Sequence, residues 1–134
     1  MPIQLSVSER LTYSTVRIEC QLSSGGISTG TGFFYACNVQ PDGRHVPVVV
    51  TNKHVVEGAL NASFYVHLAD AEGNPIPNQR VRFVIDEIPE GLLLHPDRDV
   101  DLCVIPIGDL LFQVEQKDQK IFKADLERVM NYWV

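Results

Sequence analysis

Val46-Pro-Val-Val-Val-Thr-Asn-Lys-His-Val-Val56 is an apolar run that ends on polar residues and a histidine. Its first half, to Thr51, is rich in β-branched residues and suits a strand buried on both faces. Lys53 to Glu57 then reads as one helical turn. Working upstream, Phe33-Phe-Tyr-Ala-Cys37 is a second strand, and Gln40-Pro-Asp-Gly43 is the turn between the two. Ser23 to Gly32 is a Gly/Ser/Thr loop. Its Gly30-Thr-Gly32 pair reads as a turn leading into a strand, because a phosphate-binding loop needs a third glycine and a following helix. Thr15-Val-Arg-Ile-Glu-Cys20 alternates apolar and polar residues, the mark of a half-buried strand.

Downstream, Ser63 to Leu68 is a strand, followed by a turn around Glu72-Gly-Asn-Pro75 and an alternating strand from Arg80 to Val84. Val100 to Ile107 is the last strand. Pro106 belongs near its end or at an edge, since proline cannot donate to a ladder. Short strands at this spacing predict an antiparallel barrel or sandwich. Ile121, Phe122, Leu126, Val129, Met130 and Trp133 recur at helical spacing over 117–133. That segment reads either as a terminal helix or as the start of a linker.

Length and composition narrow the function. A chain of 134 residues can bury one real core, and 45% hydrophobic residues argue against disorder. A net charge of −6 argues against nucleic acid, which needs clustered Lys and Arg. No stretch reaches the roughly 18 apolar residues of a membrane span. The start, Met1 to Ser6, lacks a secretory signal, so the expectation is a cytoplasmic chain or one whose signal has been removed. Cys20, Cys37 and Cys103 form no disulfide framework or zinc pattern and read as small buried residues. His45, His67 and His95 share no ligand spacing, so no metal and no cofactor is expected.

Two motifs carry chemistry. Gly30-Thr-Gly-Phe-Phe34 followed by Val48-Val-Val-Thr-Asn-Lys-His-Val-Val56 resembles the segment around the active-site histidine of trypsin-like serine peptidases, the HtrA/Deg-like branch above all. Asp99-Val-Asp-Leu-Cys-Val-Ile-Pro-Ile107 resembles the family's Asp-Leu-Ala-Val-Leu pattern, whose first Asp is the triad acid. The resemblance covers residues 10 to 108. It makes His54 the catalytic base and Asp101 its orienting acid, with Asp99 as the alternative acid. In such a site the imidazole takes the serine's proton, and the carboxylate fixes the ring's tautomer and stabilises the imidazolium. The family likeness implies an all-β fold: a single antiparallel Greek-key barrel of about six strands over residues 1–110, one half of a two-barrel enzyme. Residues 111–134 would be the helical segment or linker.

The departure from the family is equally informative. Its nucleophile sits in a Gly-x-Ser-Gly context in the second barrel, with the oxyanion hole and specificity pocket. No such motif occurs here, and the serines are Ser6, Ser8, Ser14, Ser23, Ser24, Ser28 and Ser63. Ser24 precedes two glycines but lies upstream of the histidine. The expectation is the N-terminal half of a serine endopeptidase, inactive alone, whose partners are a C-terminal barrel and a polypeptide substrate. The alternative is a non-catalytic binding module derived from a peptidase. In either case the face between barrels would be exposed and open to self-association. An unrelated β-barrel with a chance match would place His54 and Asp101 far apart.

Overall fold

A computed structural model describes residues 6–37, 40–86 and 93–122. In chain order these form α1 (Val7–Ser14), β1 (Thr15–Leu22), β2 (Ile27–Cys37), β3 (Val46–Thr51), α2 (Lys53–Val56), β4 (Ala59–Ala69), β5 (Pro75–Ile85), β6 (Leu93–Leu94), β7 (Cys103–Pro106), α3 (Gly108–Glu115) and β8 (Lys120–Phe122). Strand alternation decides which side chains enter the core. Along β1, Val16, Ile18 and Cys20 are buried while Thr15, Arg17 and Glu19 face solvent; along β4, Ala62, Phe64, Val66 and Leu68 are buried. Phe64 meets Phe83 of β5 edge-to-face, with centroids 5.6 Å apart.

The fold is all-β and antiparallel. Strand order in the sheet is β5-β4-β1-β2-β3-β7-β6, with β8 paired to β4. After β3 the chain returns to lay β4 beside β1, which is the Greek-key order. Six strands have four residues or more; β6 and β8 are shorter additions. Phe83 of β5 and Ile105 of β7 belong to one buried cluster although their strands lie toward opposite ends of the sheet, so the sheet curls around a single core. Among the described residues no ladder joins β5 to β6 or β7. The barrel expected from the sequence is therefore an open, curled sheet rather than a closed one.

Four local readings change. Ile27 to Gly32 is strand, not loop: Gly30 pairs with Ile18 and Gly32 with Val16. The glycines serve close packing and not a turn. α1 begins with a capping box, in which Ser6 Oγ accepts from the Glu9 N–H at 3.1 Å and Glu9 Oε1 accepts from the Ser6 N–H at 3.2 Å. α3 buries Val114 in the core. The helical spacing over 117–133 is overridden in its described part. Asp118 adopts a left-handed backbone (φ 56°), and Lys120–Phe122 turns back to pair with β4. Residues 123–134 of that reading lie outside the described residues. Pro106 ends β7 as the ladder rule requires.

Candidate active site

The antiparallel ladder between β3 and β7 sets the site. Thr51 pairs with Cys103, and Val49 with Ile105. The chain therefore leaves β3 at the same end where it enters β7. His54 follows Thr51 by three residues and Asp101 precedes Cys103 by two, so the register alone brings them to one rim. Thr51 is buried, and its hydroxyl donates to the Thr31 carbonyl at 3.0 Å, tying the end of β3 to β2. α2 then presents His54 outward while Val55 and Val56 are buried beneath it.

The glycines of β2 make this seat possible. A Cβ on Gly30 would lie 2.3 Å from Val55 Cγ2, and one on Gly32 would lie 2.6 Å from Val49 Cγ1. The short helix carrying His54 can rest on β2 only because β2 has no side chains there.

Asp101 grips His54 twice. Its Oδ1 accepts from the His54 backbone N–H at 3.0 Å, and its Oδ2 makes a short hydrogen bond with ring Nδ1. An ionised carboxylate only accepts, so Nδ1 carries a proton, and in the neutral ring Nε2 holds the lone pair. Nε2 has no hydrogen-bond partner among the described residues and faces the solvent side, the ring being 66% exposed. This tautomer and orientation suit a general base.

Two neighbours hold the acid's loop. Asn52 Nδ2 donates to the Asp101 carbonyl at 2.9 Å, and Lys53 Nζ donates to the Asp97 carbonyl at 3.0 Å. Asn52 stands at the N-cap of α2 but spends its side chain on the acid's backbone instead of the helix. Sequence reasoning did not assign these two roles. Their partners lie 49 and 44 positions away, and no local pattern encodes such a contact. Asp99 is exposed, and its backbone N–H donates to Asp97 Oδ1 at 2.9 Å, an Asx-type turn away from the ring. Of the two candidate acids, Asp101 is the one on His54.

No family model, curated protein or solved structure matches this chain.

A cleft of about 470 Å³ lies at the pair, lined by His54 and Asp101 with the apolar Val56 and Leu94 and the charged Lys53, Glu57 and Arg98. Leu94 and Leu102, on either side of Asp101 in the chain, are 56% and 41% exposed. No serine or cysteine lines this cleft among the described residues. Ser14 is buried and donates to the Leu11 carbonyl, and Ser63 accepts from Arg82, so both are committed elsewhere. Cys20 and Cys103 are buried in the core, and burial pushes both thiols up, away from thiolate chemistry. Among the described residues no group of three or more His, Cys, Asp or Glu is arranged to hold a metal, and no helix is long and apolar enough to cross a membrane.

The ring hydrogen bond from His54 is the largest influence on Asp101 and holds its carboxyl below the ordinary carboxylate range; backbone N–H groups of His54 and Lys53 add to this, against a desolvation penalty. The sign follows by linkage. A depressed acid contributes stability that is present above its unfolded pKa and lost as pH falls through its folded one. In a pH titration followed by carboxyl carbon NMR, the Asp101 resonance is expected to midpoint below 3.8, the value of a free side chain. A midpoint at or above 3.8 would mean that the pair does not persist in solution.

Proposed function

We propose that this chain is the histidine- and aspartate-bearing half of a trypsin-like serine endopeptidase. His54 is the general base and Asp101 the group that orients it. The observation that carries the reading is the double hydrogen bond from Asp101 to the backbone and ring of His54. It fixes the one tautomer in which Nε2 can accept a proton.

The chemistry runs through Nε2. A serine hydroxyl brought against it attacks the scissile carbonyl and passes its proton to the ring; the imidazolium then protonates the leaving amine, and water repeats the cycle to release the acyl group. Asp101 stays ionised throughout, which its depressed pKa favours. Leu94, 56% exposed, supplies apolar surface beside the base, suited to a wall of a polypeptide-binding cleft or to a partner domain. The serine, the oxyanion donors and the specificity pocket come from outside these 134 residues.

The test is labelling of the product of the whole source reading frame with a fluorophosphonate. The expected result is one modified serine outside residues 1–134, with labelling lost in His54→Ala. Absence of labelling in a folded whole product would overturn the peptidase reading and leave a binding role for the exposed wall. Labelling of a serine within the 134 residues would overturn the assignment of the nucleophile.

A further inference from the structure

A second cleft lies on the outer face of the sheet, sharing no residue with the one beside His54. β1 and β4 pair only from Glu19–Ser63 to Leu22–Ala59. Toward Thr15 the two strands part, because β8 takes over the edge of β4 at His67 to Ala69. The parting opens a cleft of about 460 Å³ whose floor reaches Val16 and Phe64. Three guanidinium groups, Arg17, Arg80 and Arg82, line it.

Acidic residues outnumber Lys and Arg by 17 to 11, so a surface arginine has many carboxylates to pair with. Arg44 does so, 2.6 Å from Asp42. Arg17, Arg80 and Arg82 have no carboxylate within ion-pair distance among the described residues. Two of them are nevertheless held in place. Arg82 sits opposite Tyr65 in the ladder and donates to Ser63 Oγ at 3.2 Å. Arg80 sits opposite His67 and stacks over the Tyr65 ring, 4.8 Å from its centroid. Glu19 is the one acidic residue lining the cleft, so the charges there sum to +2, from three arginines and one glutamate. A single carboxylate ligand would leave half of that unmatched. A phosphoryl dianion matches it, and guanidinium forks bind its oxygens in pairs.

We propose that the cleft between β1 and β4 binds a phosphoryl group through Arg17, Arg80 and Arg82. Ser63 holds the Arg82 guanidinium and Tyr65 the Arg80 guanidinium within the cleft. The site does not depend on the peptidase reading, since it shares no group with His54 or Asp101.

The experiment is an NMR titration of the whole 134-residue protein with inorganic phosphate at pH 8, with ionic strength held constant by sodium chloride. The expected result is saturable shifts of the Arg17, Arg80 and Arg82 Nε–H groups, with the His54 ring unmoved. The double variant Arg80→Gln/Arg82→Gln is expected to weaken binding at least about tenfold, since each lost charge-assisted bond removes a substantial share. Glu19→Gln should tighten it about threefold by removing the opposing charge. Unfolding curves of the variants check that the sheet is intact. In parallel arms, O-phosphotyrosine tighter than phosphate assigns the site to a carried phosphoryl group, and equal affinity assigns it to free phosphate. Shifts that never saturate, binding unchanged in the double variant, or malonate binding as tightly as phosphate would each overturn the proposal.

Discussion

Under the peptidase reading proposed above, His54→Ala is expected to lower kcat of the whole reading-frame product by about 10⁵- to 10⁶-fold, with KM for a peptide substrate little changed. The size follows from the general-base role proposed for His54 Nε2, the ring nitrogen that Asp101 does not engage. Asp101→Asn is expected to cost about 10⁴-fold, for a reason visible in the hydrogen bonds. Asp101 uses one oxygen for the His54 backbone N–H and the other for ring Nδ1. The backbone donor is fixed, so the single oxygen of an asparagine must stay with it. The amide NH₂ then faces Nδ1, makes it an acceptor and moves the ring proton to Nε2, which can no longer act as a base. Asp99→Asn, whose side chain makes no contact with the ring, should stay within about twofold of the parent. Steady-state rates on one peptide substrate for the three variants decide the matter. A His54→Ala enzyme retaining a tenth of parental kcat would remove His54 from the mechanism. Equal losses in the two aspartate variants would remove the distinction between Asp101 and Asp99.

Gly30→Ala should cost about 3 kcal/mol and lower Tm by about 10 °C, near the upper end for overpacking a core. The added methyl would stand 2.3 Å from Val55 Cγ2 and 3.1 Å from Cγ1, and Val55 is only 1% exposed. A valine in a helix has one strongly preferred rotamer, so relief has to come from lifting α2. Lifting α2 pulls His54 off Asp101, so stability and the Nδ1 hydrogen bond should fall together. Gly32→Ala meets Val49 Cγ1 at 2.6 Å, Ile18 Cδ1 at 2.9 Å and the Val50 carbonyl oxygen at 3.2 Å, and should be comparably destabilised without a direct effect on His54. Gly43→Ala is the contrast: its φ is +88° but no atom lies within 4 Å of the new methyl, so only backbone strain of about 1 kcal/mol is expected. Urea unfolding with unchanged m-values would measure all three. Adding Val55→Ala to Gly30→Ala should restore part of the loss by removing the clashing methyls. A Gly30→Ala cost below about 1 kcal/mol would show that α2 is not seated on β2 by this contact.

Much of the fold is legible along the chain because strands declare themselves locally. The stretch from Val46 to Thr51 is β3 residue for residue, and the alternation of β1 and β4 reads directly as core and solvent faces. The misreadings occur where a local signal has two physical causes. Gly30 and Gly32 look like turn residues, yet they are strand residues whose missing side chains admit Val55 and Val49. Helical spacing around Ile121 gives way to pairing with β4, since an open strand edge offers backbone hydrogen bonds that outweigh propensity. The Ser6-x-x-Glu9 capping pair was present in the sequence as a helix signal, while α3 had only Val114's tertiary burial to mark it.

Sequence alone determined the all-β class and the positions of the main strands, because side-chain periodicity is local; the choice of His54 with an aspartate near residue 100 came from the resemblance of two short motifs to a known family. Only the tertiary structure decided that Asp101 and not Asp99 reaches the ring, that Asn52 and Lys53 brace the acid's loop, and that three arginines with no ion pair among the described residues line a cleft on the outer face. Each of those depends on ladder register between strands far apart in the chain. A shift of one residue in the pairing of β3 with β7 would point a different side chain at His54.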